Sequence, residues 1–192
     1  MRQAIIPAAG TGSRLGNITE IIPKCMIKVN GKTLIERTLM ILDKLEFDRV
    51  VIVTGHADSI LRSHIAELKL EIKIIFIHND NYANSNNIVS VSLALDLMCE
   101  MDSVLIESDL IFDDSIIEEV ISERGNYVVL SKYQNYMDGT VVHFDQQKMK
   151  FSSPEEAKEE KQLYKTVNIY QFTKEFISNV FSPLINIYLS QG

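Results

Sequence analysis

Short apolar runs alternate with segments of helical period through the first 120 or so residues, and that alternation narrows the fold more than any other feature of the chain. Residues 4–8 (AIIPA) are apolar and lead into the turn Gly10-Thr11-Gly12. Residues 33–45 place Leu34, Ile35, Leu39, Ile41, Leu42 and Leu45 at spacings of three and four, the period of a helix with one apolar face. Residues 49–54 (RVVIVT) form an unbroken apolar run with β-branched side chains, as expected of a strand covered on both faces. Residues 58–68 read as a helix, 71–78 (EIKIIFIH) as a strand, 86–98 as a helix and 103–107 (SVLIE) as a fourth strand. A further helix is expected over 113–122, capped by Asp113 or Asp114. This order implies an α/β fold: a Rossmann-like, mostly parallel sheet with helices on both faces.

Beyond Gly125 the rhythm changes. Residues 127–132 and 139–144 read as strands with no helix between them. Residues 146–164 are polar, with the run EEAKEEK at 155–161, and predict a solvated loop or a short surface helix. A strand is expected over 165–172 (KTVNIYQF), then a terminal helix over 173–188 that Pro183 should interrupt. There is no internal repeat and no linker-like stretch, so residues 1–192 read as one domain, with the alternative that they are the N-terminal piece of a longer protein.

Charge and composition exclude several function classes. A formal net charge of −7 matches duplex nucleic acid poorly, because such binding rests on neutralising phosphates. Hydrophobic residues make up 46% of the chain, too many for a dominantly disordered one. Cys25 and Cys99 stand alone, forming neither a disulfide framework nor a zinc pattern, which suggests a reduced, cytoplasmic setting. No apolar stretch approaches the ~18–20 residues needed to cross a bilayer, and the N-terminus lacks the form of a signal peptide. The four histidines show no HExxH or HxxxH spacing, so a zinc site is not expected.

The strongest chemical signal is Ala8-Ala9-Gly10-Thr11-Gly12-Ser13-Arg14-Leu15. Small residues let the backbone approach a ligand, and successive amides in such a turn make a concave nest for phosphate oxygens. The turn follows the first strand, where open α/β sheets bind ligands. Arg14 adds a guanidinium fork, and Lys24, after Pro23, is a compact cation able to fold back over the same phosphates. Gly-Lys-Ser/Thr does not follow the glycines, so this is no Walker loop; Leu15 occupies the third glycine position, so it is no dinucleotide fingerprint. A purely structural glycine turn is the alternative.

These residues, together with Thr19 and Pro23-Lys24, resemble the signature of the nucleotidyltransferases that activate sugar phosphates and small alkyl phosphates. The resemblance extends along most of the chain and implies a nucleotide-diphospho-sugar-transferase-like fold. The segment from His78 to Ser90, with Asn79, Tyr82, Asn86 and Asn87, is similar to one in bacterial phosphocholine and aminoalkylphosphonate cytidylyltransferases. Its amides suit a pyrimidine edge; capping and turn roles for the asparagines are the alternative.

After the fourth strand come Glu107, Ser108 and Asp109. The resemblance implies a Mg²⁺-binding aspartate here, and Asp109 is the match. A carboxylate at a strand's C-terminal tip can hold Mg²⁺ against substrate phosphates, and Glu107, two residues away, can point to the same side. The second metal carboxylate of the family, from a late strand, has no match. Segments 138–142 and 164–170 are similar to acceptor-side segments of phosphonate-tailoring cytidylyltransferases. They put forward Lys165 for the acceptor anion, with Tyr133, Tyr136 and Tyr170 as candidates to stack on an ammonium group.

Taken together, the resemblance implies a Mg²⁺-dependent cytidylyltransferase acting on CTP and a small anionic acceptor, with Arg14, Lys24 and Asp109 as catalytic residues. It leaves open a fusion partner domain or a homo-oligomer. A sugar-1-phosphate nucleotidyltransferase using UTP or dTTP is the alternative in the same class. A nucleotide-binding module without catalysis is the alternative in another class.

Overall fold

A computed structural model describes residues 1–13, 16, 19–146, 148–160 and 162–191. Its centre is a sheet of eight strands with the order β5-β4-β1-β6-β10-β8-β9, β7 pairing with β10 on its other side. The strands β1 (Arg2–Ala8), β4 (Arg49–Thr54), β5 (Lys73–His78) and β6 (Asp102–Ile106) are mutually parallel. β7 (Tyr127–Lys132), β8 (Val141–Asp145), β9 (Lys148–Ser152) and β10 (Tyr164–Phe172) form the antiparallel flank. A small ribbon, β2 (Lys28–Val29) with β3 (Lys32–Thr33), precedes the first helix.

The two-residue period of the strands explains the layers. Ala4 and Ile6, Val50 and Ile52, and Val104 and Ile106 face α1 (Leu34–Lys44), α2 (Asp58–Glu67) and α5 (Asp114–Ser122) in one core. Ile5, Val51 and Val53 face the other core, built by α3 (Asn87–Ser92), α4 (Leu95–Met98) and the C-terminal helices. Five of the six residues of β4 are buried, as its unbroken apolar run requires. Thr33 caps α1 and Asp113 caps α5, their side-chain oxygens accepting amide protons from Glu36 and Ser115.

Three expectations need correction. The segment 146–164 is not only loop: β8 and β9 form a hairpin over five residue pairs, from Val141 with Ser152 to Asp145 with Lys148. Its turn uses Gln146 at φ 46°, with no glycine to announce it, and the lysines of Lys-Met-Lys-Phe hide an alternating strand pattern. Only after it does the chain turn on a capping box, Ser153 and Glu156 bonding each other's amides. Second, the helix expected over 86–98 divides into α3 and α4.

Third, the last helix begins as α6 (Lys174–Phe176), widens to a π-helical stretch over Ile177–Phe181 and continues as α7 (Ser182–Ser190). Pro183 therefore lies in the first turn of α7, just past the widened stretch. There its missing amide and its ring are accommodated without ending the helix. No helix among the described residues is long and apolar enough to cross a membrane.

Asp102, the first residue of β6, pins this helix to the sheet. Its carboxylate accepts from Arg124 Nε at 2.7 Å and Nη2 at 3.1 Å and from the Lys174 amide at 2.9 Å. Arg124 holds the Asp102 carboxyl below its ordinary value of 3.8. The stabilisation is therefore present above that value and is lost as pH falls through the lower folded-state pKa. Asp102→Asn is expected to cost about 1 kcal/mol at neutral pH. Thermal unfolding at pH 7 and at about pH 2.5 should show the gap between variant and wild type closing in acid. An equal gap at both would deny the carboxylate this anchoring role.

Candidate active site

The parallel register sets where the site lies. Ala8 pairs with Thr54, Thr54 with His78, and Ile5 with Leu105. The carboxyl ends of these four strands thus reach one edge of the sheet. The loops that leave β1, β5 and β6 line a cleft of about 520 Å³ there.

The wall after β1 is built from residues 10–13. Ala8 and Ala9 are buried and fix the start of the loop. Gly12 has φ +66°, and a Cβ there would stand 3.1 Å from Thr19 Cγ2 and 3.2 Å from Lys24 Cβ, so both backbone and space call for glycine. Gly10 differs: a Cβ would meet nothing within 4 Å, so packing does not demand its small size. Arg14 and Leu15 lie outside the described residues.

Lys24 arrives on a short 3₁₀ turn, Lys24–Met26, introduced by Pro23, whose carbonyl accepts the Met26 amide at 2.8 Å. The next side chain, Cys25, is buried and anchors the turn. Burial pushes its thiol up to about 12, so it is not a nucleophile at neutral pH. The Lys24 ammonium forms an ion pair with the Asp109 carboxylate across the cleft.

The opposite wall is formed by residues 107–109. The Glu107 amide donates to the Asn168 carbonyl at 3.2 Å, and its carboxylate accepts from Asn87 Nδ2 at 2.7 Å. Burial raises the Glu107 carboxyl above its ordinary value, and the negative charge of Asp109 pushes it further. Two carboxylates on one wall suit Mg²⁺, which takes one or two protein carboxylates and completes its shell with water and substrate phosphates. No group of three or more His, Cys, Asp and Glu side chains is placed to hold a metal among the described residues.

The loop after β5 treats its asparagines unequally. Tyr82, Ser85 and Asn87 line the cleft. Asn79 does not: it is buried, its Nδ2 donates to Ser85 Oγ at 3.0 Å and Ser90 Oγ at 3.1 Å, and its Oδ1 accepts from the Asn81 amide. Asn86 caps α3, accepting from the Val89 amide at 3.3 Å. Asn79 thus spends its amide group inside the loop, while the side-chain oxygen of Asn86, an exposed residue, is the one that caps.

The acceptor candidates are not among the residues that line the cleft. Lys165 donates to the carbonyls of Asp138 and Thr140, holding the turn at Gly139. Tyr133 follows β7, its amide donating to Leu163, and Tyr136 is exposed on the surface. Tyr170 stacks on Phe172 with ring centroids 6.0 Å apart and donates to Asn168 Oδ1 at 3.3 Å. Asn168 itself is a residue that sequence reasoning passed over. It takes φ 60° at a bulge in β10 and supplies the carbonyl that receives Glu107. An asparagine inside a β-branched run is a weak sign of such a left-handed position.

With this geometry, residues 4–168 match the family described as the MobA-like NTP transferase domain. The chain belongs to this family. The match runs from the third residue of β1 to the bulge in β10 and so takes in every loop of the cleft. Among curated relatives, this NTP transferase domain is 36% identical over 133 residues to choline-phosphate cytidylyltransferase of Haemophilus influenzae, spanning 69% of this chain and 54% of that protein. It is 27% identical over 189 residues to CMP-5'-(3-aminopropyl)phosphonate synthase of Streptomyces rubellomurinus, spanning 95% of this chain and 30% of that protein. The domain therefore covers about half of one relative's length and less of the other's.

Among solved structures, CTP:phosphocholine cytidylyltransferase from Streptococcus pneumoniae superposes with a TM-score of 0.75 at 22% identity, covering 99% of this chain and 78% of that one. The likeness concerns the fold, which is the mixed, mostly parallel sheet of the nucleotide-diphospho-sugar transferases.

The contrast between the two loop asparagines is testable. Asn79→Ala is expected to cost about 2–3 kcal/mol, since it leaves buried hydroxyls and an amide without partners. Asn87→Ala, at an exposed position, should change stability by less than about 0.5 kcal/mol. Chemical denaturation of both variants measures the difference, and equal losses would contradict the inward placement of Asn79.

Proposed function

We propose that the domain transfers CMP from CTP to a small alkyl phosphate or phosphonate and releases pyrophosphate. One observation carries the reading: residues 10–13 and Lys24 line a single cleft with residues 107–109, which lie far along the chain from both. The open space at Gly10 supports it, because a glycine that packing does not require leaves room for an incoming ligand. The activities named for the two curated relatives favour cytidylyl transfer to phosphocholine- or aminoalkylphosphonate-like acceptors.

In the reaction, an acceptor oxygen, already anionic near neutral pH, attacks the α-phosphorus of CTP. A new phosphorus–oxygen bond forms and the bond to the bridging oxygen of the β-phosphate breaks. Pyrophosphate leaves with that electron pair, so no general base is needed. The task of the protein is alignment and the neutralisation of charge brought together by two anions. The amides of residues 10–13 and the Lys24 ammonium hold the triphosphate. Asp109, with Glu107 beside it, would hold Mg²⁺, which when bound offsets phosphate charge. Arg14 is assigned to the same task by the family signature alone.

A panel of the four nucleoside triphosphates with phosphocholine, 2-aminoethylphosphonate and a hexose 1-phosphate tests the reading through pyrophosphate release. Release is expected with CTP and an alkyl phosphate or phosphonate, and only with Mg²⁺ present. Release confined to UTP or dTTP with the sugar phosphate would move the domain to the sugar-nucleotide class. Thermal stabilisation by CTP without any release would make it a binding module. Lys24→Ala and Asp109→Ala should each lower turnover about 10²–10³-fold, as the loss of one preorganised charge contact does. Circular dichroism should show that both variants keep the fold; near-normal turnover in both would remove the site assignment.

A further inference from the structure

His56 is the second residue after β4 and is not part of the cleft lining. It sits instead in a small hollow behind the glycine loop, with Thr11, Ser13, Thr19 and Glu20. Gly55 lets the chain reach this place: a Cβ there would stand 2.5 Å from Tyr82 Cβ and 2.8 Å from the Ala9 carbonyl oxygen. The His56 amide donates to the Ala9 carbonyl at 3.0 Å. Its ring Nε2 lies 2.8 Å from the Thr19 carbonyl oxygen. A carbonyl only accepts, so Nε2 carries the hydrogen. Thr19 is buried, and its hydroxyl lies 2.9 Å from the Gly12 carbonyl, to which it donates.

Two of these bonds end on carbonyls at the glycine loop, those of Ala9 and Gly12, and that is what gives them a consequence. In a planar trans peptide the N–H points opposite to the C=O. The Ala9 carbonyl turned to His56 therefore turns the Gly10 amide the other way. The Gly12 carbonyl turned to Thr19 does the same for the Ser13 amide. Both Gly10 and Ser13 are residues of the cleft wall. We infer that the His56 ring is the positioning group of the phosphate loop: through the Thr19 carbonyl and the Thr19 hydroxyl on Gly12 it sets where the Ser13 amide aims, while the backbone amide of the same residue holds the Ala9 carbonyl. The inference rests on the triphosphate-binding reading above and adds to it a residue behind the cleft that touches no substrate.

Four variants test it. His56→Phe keeps a ring of similar bulk beside Tyr82 but has no donor, while His56→Gln restores an N–H near the same place. Thr19→Val removes the second bond, and Thr19→Ser keeps it. Affinity for CTP is measured by titration without acceptor, and KM and kcat by pyrophosphate release. His56→Phe and Thr19→Val should each weaken CTP binding and raise its KM about tenfold, the effect of one lost hydrogen bond on donor alignment. kcat should fall less than KM rises. His56→Gln and Thr19→Ser should recover most of the loss. The double variant should lose little more than either single one, because both break one relay.

CTP affinity equal to wild type in His56→Phe and Thr19→Val, or losses that add fully in the double variant, would overturn the inference while leaving the functional reading intact. A wild-type protein that binds no nucleoside triphosphate would remove both. If His56→Phe fails to fold, Thr19→Val against Thr19→Ser decides: equal affinities sink the relay, and a tenfold difference upholds it.

Discussion

Everything in the site depends on the pairing of β1 with parallel neighbours on both sides. Ala8 stands level with Thr54, and Ile5 with Leu105, so strands more than 40 residues apart in sequence run their carboxyl ends to one edge of the sheet. Hydrogen-bonded register leaves little freedom to slide, since a slip of one residue would turn Ala4 and Ile6 from one core into the other. The glycine loop and the acidic loop are thereby held across a cleft with no direct bond needed between their backbones. This is the switch-point geometry of open α/β sheets, produced here by a strand whose inner residues are almost all buried.

Charge within the cleft is arranged in tension. Glu107 and Asp109 lie on one wall, and the burial of Glu107 makes its ionised form costly. The Lys24 ammonium meets one carboxylate, and the Asn87 amide meets the other. The same groups that compensate each other without ligand are those that would engage phosphate and cation. A net charge of −7 over the whole chain does nothing to draw an anionic nucleotide, so the attraction has to be local.

Much of the layout was legible from periodicity. The run at 49–54 and the spacing in 33–45 mark β4 and α1 within a residue or so, because each has a face to bury and a clear cap or turn at its end. The glycine turn stood out because Arg14 and Pro23-Lys24 accompany it, cations that a purely structural turn does not need. What escaped was whatever depends on direction. Asn79 and Asn87 are the same residue type in the same loop, yet one faces the core and the other the cleft, a choice made by Ser85 and Ser90 rather than by composition. Lys165 reads as a free cation until the carbonyls of Asp138 and Thr140 are seen around it. His56 carries no motif, and its partners Ala9 and Thr19 lie on either side of the glycine turn.

The bulge at Asn168 divides β10 between different neighbours. Downstream, residues 169–172 pair with β6, Ile169 entering the core of α1, α2 and α5 and Phe172 packing against the other. Upstream, Tyr164 pairs with Val142, and the contact of Phe144 with Tyr164 adds one edge-on aromatic pair. The β8–β9 hairpin therefore hangs from the sheet by a narrow attachment, with Phe151 exposed on its outer strand. Its backbone amides should trade hydrogen for deuterium well before those of β1 and β4, opening as a small cooperative unit while the parallel half stays shut.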